Sequence, residues 1–123
     1  MPAYSNTTPP LSLFPGDVGF SFNAETFPAD GTAGSQFALP EPSGIVDQGH
    51  AVRWQTIFGS NPSAINIVLQ GAAADVDAEY FLLDTSTATG GEARTVTGVR
   101  ARFLRIKLVT STGGSGLTAK MLP

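Results

Sequence analysis

The chain has 123 residues, no cysteine and a formal net charge of −3. Its length suits one domain, in which roughly two-thirds of the surface of the unfolded chain is buried on folding. Without cysteine there is no disulfide framework, no thiolate zinc site and no cysteine nucleophile. The acidic balance argues against general nucleic-acid binding, which requires many phosphates to be neutralised.

The opening stretch MPAYSNTTPP has neither a basic nor an apolar leader segment, and no apolar run approaches the length of a membrane span. A soluble chain with no membrane partner is expected. Residues 1–49 hold seven of the nine prolines and five of the eight phenylalanines: Phe14, Phe20, Phe22, Phe27 and Phe37. Proline and glycine at this density exclude a long helix and leave extended chain and short strands. The aromatics still need a surface to bury against, either the domain's own sheet or a partner. Residues 1–16 are read as an extended N-terminal arm and 17–123 as the folded domain.

From residue 50 the chain reads as short strands separated by turn formers. In AVRWQTIF, Val52, Trp54, Thr56 and Phe58 share one face, and NPS ends the run. In AINIVLQ, Ile65, Ile67 and Leu69 do the same. EYFLLDT and ARTVTGV flank the turn STATGGE. RFLRIKLV sets Leu104, Ile106 and Leu108 inward and Arg105 and Lys107 outward, and STGGSG leads to LTAKML. The expected fold is an all-β antiparallel sandwich, with the glycine-rich segments as hairpin turns. A helix over 72–83 is the main competing assignment, and the β-rich runs on either side favour a hairpin there.

Asp75, Asp77 and Glu79 alternate in the middle of that segment. Three carboxylates could supply oxygen ligands to calcium, but the segment lacks the glycine and spacing of an EF-hand. As a glycosidase pair they lack a visible aromatic cleft. They are read as solvated carboxylates at a hairpin tip. His50 is the only histidine and no GxSxG elbow accompanies it. The glycine-rich turns lack the Lys-Ser/Thr ending of a phosphate loop. No catalytic residue, metal or cofactor is assigned. All seven basic residues follow residue 49, and Arg94, Arg100, Arg102, Arg105 and Lys107 fall within fourteen positions. Arg102, Arg105 and Lys107 are candidates to face an acidic partner.

The order INIVLQG, YFLLDTST, GEARTVTGVRARFLRIKLVTSTGGSG resembles the discoidin-like jelly roll in outline, without its paired cysteines. The ending TVTGVRARFLRIKLVTSTGG more closely resembles that of small virion proteins of tailed bacteriophages, capsid decoration (cement) proteins among them. The resemblance spans about residues 51–122 and implies a non-enzymatic, jelly-roll-like virion component. It further implies attachment to the major capsid protein on the capsid surface after assembly in the host cytoplasm, and homo-oligomerisation. Leu11, Leu13 and Phe14 of the arm would be partner contacts alongside the basic face. The alternative is a carbohydrate- or receptor-binding module of a phage tail, for which exposed aromatics would be expected.

Overall fold

The computed structural model describes residues 11–12, 17–39 and 50–122, with side chains described over 17–39 and 51–122. Among the described residues nine strands follow in order: β1 (Leu11–Ser12), β2 (Gly19–Glu25), β3 (Phe37–Ala38), β4 (His50–Ser60), β5 (Ala64–Ala72), β6 (Phe81–Ser86), β7 (Glu92–Val99), β8 (Phe103–Thr112) and β9 (Ser115–Leu122). One sheet has the order β1-β3-β8-β5-β6 and the other β2-β9-β4-β7. All pairs are antiparallel except β1 with β3. Counted from β2 as the first strand, the sheets run 1-8-3-6 and 2-7-4-5, the jelly-roll order of an eight-stranded sandwich.

The segment over 72–83 is a hairpin between β5 and β6, with a short 3-10 turn at Asp77–Glu79 in place of the competing helix. The two glycine-rich turns differ from expectation. β6 and β7 lie in different sheets, as do β8 and β9, so STATGGE and STGGSG are corners that cross the sandwich. Gly91, Gly113 and Gly114 supply the positive φ values these corners need.

The alternating residues behave as a half-buried sandwich strand requires. Val52, Trp54, Thr56, Ile65, Ile67 and Leu69 face inward, as do Leu104, Ile106 and Leu108, and they meet Leu117, Ala119 and Met121 of β9. Each fully buried large side chain contributes about 1.5–3 kcal/mol. Phe22 and Phe37 are in this core, and Phe27 stacks on Phe58 with ring centroids 5.8 Å apart. Most of the described early aromatics therefore serve the domain itself. Within the expected arm, Leu11–Ser12 adds a parallel strand beside β3; Leu13 and Phe14 lie outside the described residues.

The crossing from β2 to β3 is pinned by Ser21. Its buried hydroxyl donates to the Ser35 carbonyl at 2.9 Å and accepts from the Ile106 N–H at 3.0 Å, so the side chain ties β2, the crossing segment and β8 together. Gly34 lies so close that a Cβ there would sit 2.5 Å from the Ser21 carbonyl oxygen. Gly34→Ala should therefore cost about 1–3 kcal/mol, as overpacking against rigid backbone does. Gly90→Ala, where a Cβ meets nothing within 4 Å, should be near neutral; urea melts of the two variants check the contrast.

Candidate binding cleft at the open edge of the sandwich

β6 is the outermost strand of one sheet and β7 of the other, and the two run side by side along one edge of the sandwich. At the corner that joins them, the edge is closed by polar groups. Asp84 on β6 accepts from the indole Nε1 of buried Trp54 on β4 at 2.9 Å and from Nε of Arg94 on β7 at 2.8 Å. Arg94 also pairs with Glu92 at 3.3 Å, and the Ser86 hydroxyl donates to Glu92 at 2.6 Å. Burial works against the charge on Asp84. The hydrogen bonds from Arg94, Trp54 and the Thr85 N–H outweigh that penalty and hold its carboxyl below the ordinary value.

Away from the corner the strands part. The gap is a cleft of about 400 Å³ between Phe81 and Leu83 of β6 and Val96 to Val99 of β7, with Ala73, Arg100 and Ala101 completing its lining. Gly71 on β5 makes this shape possible. A Cβ there would come within 2.6 Å of Ala101 Cβ and 3.0 Å of Leu83 Cδ1. Phe81, which lines the cleft, is 51% exposed, and two more large apolar residues stand exposed nearby in the chain, Leu82 at 60% and Val76 at 46%. Such residues are ordinary when scattered, but here they fall within a seven-residue stretch next to an apolar cleft.

The acidic loop before β6 is more than a solvated tip, although the Asp77 side chain is 72% exposed and Glu79 is exposed. Arg105 points to the outer face of its sheet, as the alternation of β8 requires, yet it is only 2% exposed because the loop folds back over it. Its Nη1 lies 2.7 Å from Asp77 Oδ1, its Nε donates to Gln70 at 2.8 Å, and its guanidinium lies 4.0 Å from the centre of the Tyr80 ring. The Tyr80 hydroxyl donates in turn to Asp75 at 3.0 Å. A carboxylate, a stacked ring and a cross-strand amide thus compensate one buried cation.

Of the basic candidates, Arg102 is exposed and Lys107 half-buried, whereas Arg105 is a correction: it belongs to the loop lock and not to an exposed face. The side chain of Leu11, like Leu13 and Phe14, is outside the described residues. The exposed aromatic that the glycan-binding alternative calls for has a counterpart in Phe81. Among the described residues no three His, Asp or Glu side chains are grouped to hold a metal ion, and no helix is long and apolar enough to cross a membrane. The cleft escaped the reading of the sequence, although FLL followed by a lone aspartate departs from strict alternation and marks an unusual strand. No protein-family model, curated protein or solved structure matches the chain.

Asp77→Asn removes the carboxylate 2.7 Å from buried Arg105 and should lower stability by about 1–3 kcal/mol. Glu79→Gln in the same loop should stay within about 0.5 kcal/mol, and chemical denaturation of both variants separates the lock from a solvated loop. The depressed Asp84 pKa stabilises the folded state at any pH above the unfolded carboxylate value of about 3.9, and that contribution is lost as pH falls through the lower folded value. Asp84→Asn should therefore be less stable than the parent at neutral pH, with the difference shrinking in melts carried down through the acid range.

Proposed function

We propose that the protein is a structural component of a virus particle: a capsid decoration protein that attaches to the major capsid protein of the assembled head and works by surface contact, without catalysis. The observation that carries this reading is the group of exposed apolar side chains, Val76, Phe81 and Leu82, on and just before β6, an edge strand of the jelly roll. Jelly rolls recur in viral capsid and lectin domains, and the step from this frame to a virion is an analogy of fold joined to the resemblance of residues 95–114. The ionised groups with the strongest contacts, Asp84 and Arg105, are spent inside the fold on closing the edge and holding a loop. Contact chemistry is what the surface offers: apolar area at the β6–β7 edge, and the exposed Arg102 with the half-buried Lys107 near it in sequence.

In a density gradient of particles from the producing cells, the chain should travel with the major capsid protein in a fixed ratio. Raising the salt should release it in part, because exposed charge pairs are screened beyond about 8–10 Å at moderate ionic strength. Arg102→Glu with Lys107→Glu should lower occupancy without lowering the melting temperature. A chain found only at the top of the gradient contradicts the proposal.

A further inference from the structure

We propose that the buried Arg105 is an anion site that the chain keeps closed with its own carboxylate: Asp77 occupies the seat, and a carboxylate from outside takes it when the loop over 73–80 lifts. This goes beyond the virion reading and does not depend on it.

The cation belongs to the rigid part of the molecule and the anion to the removable part. Arg105 sits on β8 between β3 and β5, only 2% exposed, and its Nε is held by Gln70 of β5 at 2.8 Å. Asp77 lies 2.7 Å from Nη1 with a side chain that is 72% exposed, so its carboxylate reaches the seat from the solvent side. The loop that carries it has no buried residue from 73 to 80, and its short 3-10 turn at Asp77–Glu79 lacks a side-chain cap. It is held down by polar and ring contacts: Asp77 on Arg105, the Tyr80 ring 4.0 Å from that guanidinium, and Asp75, which accepts from Tyr80 at 3.0 Å and from Gln36 at 3.5 Å. A segment without an apolar anchor belongs to the part of a fold that opens first. Opening costs the ion pair, and an incoming carboxylate restores it.

With the loop raised, the seat has the chemistry of a carboxylate receptor. A guanidinium presents a planar fork of N–H donors that matches a carboxylate, and with Nε engaged by Gln70 it is Nη1 that is aimed at the seat. The carboxylates of the loop leave with it. The charged side chains that β8 presents on this face are Arg105 and, two residues further along, the half-buried Lys107. Stability alone does not call for a cation at this position, since an apolar residue of similar volume serves a buried site as well or better.

An NMR titration of the isotopically labelled chain tests the proposal. The probes are acetate and a tetra-aspartate peptide with blocked ends, and sodium chloride at matched ionic strength is the control. In Asp77→Ala the seat is vacant, and acetate should shift the Arg105 Nε–H and Tyr80 ring signals saturably, half-saturating at about 10–100 mM as one charge-assisted contact implies. The parent should bind at least about tenfold more weakly, because the tethered Asp77 competes for the seat. Acetate should also return part of the melting temperature that Asp77→Ala loses. Asp77→Ser, which keeps a polar group on the turn, takes its place if the alanine variant does not fold. A response to acetate alone assigns the seat to small free acids, and a response to the peptide extends it to an acidic segment of a partner; either supports the site. Shifts that chloride reproduces, equal affinity in parent and variant, or no shift with either probe overturn the proposal. No particle enters these measurements, so failure here is distinguishable from failure of the virion reading.

Discussion

Asp84 decides how this sandwich is closed. The two sheets are held mainly by their shared apolar core, and at this rim one carboxylate receives the indole N–H of Trp54 and the guanidinium of Arg94. Trp54 belongs to β4 and Arg94 to β7, both in the sheet opposite Asp84, so the bridge joins the layers across their rim. The bond to Trp54 also satisfies the only polar atom of a large buried ring, which would otherwise be costly to bury. Because the bridge lies near the β6–β7 corner, its reach ends after a few residues. Beyond it the cleft begins.

The acidic loop gives that opening a defined wall. A cation buried under a loop is an expensive arrangement unless its partners are all present, and Arg105 has a carboxylate, an amide and a ring in contact. The loop is therefore tied to β8, the central strand of its sheet, and the exposed Val76, Phe81 and Leu82 are carried on a positioned segment. Asp75 and Asp77 act as fasteners in this arrangement.

Much of the fold was legible in the sequence because strand periodicity is a local property. The inward faces of β4, β5 and β8 could be read from alternation alone, and Trp54 was placed inward for the same reason. What was not legible depends on which strand neighbours which. A glycine-rich turn looks the same whether it closes a hairpin or carries the chain to the other sheet, so the corners at STATGGE and STGGSG could not be told from hairpins. Arg105 shows the same limit: alternation gave its direction correctly, but the cover over it comes from a loop about thirty residues earlier in the chain. The cleft is a third case, since Leu83 of β6 and Ala101 of the β7–β8 turn come together over Gly71 of β5, a meeting of three distant segments.

The central claim is that Asp84 fastens the two sheets to each other at the β6–β7 rim, and hydrogen exchange on the parent and on Asp84→Asn tests it most directly. Amides of β6 and β7 should lose protection in the variant, while those of β5, β8 and β9 stay equally protected. Equal protection along β6 and β7 in the two proteins would contradict the claim.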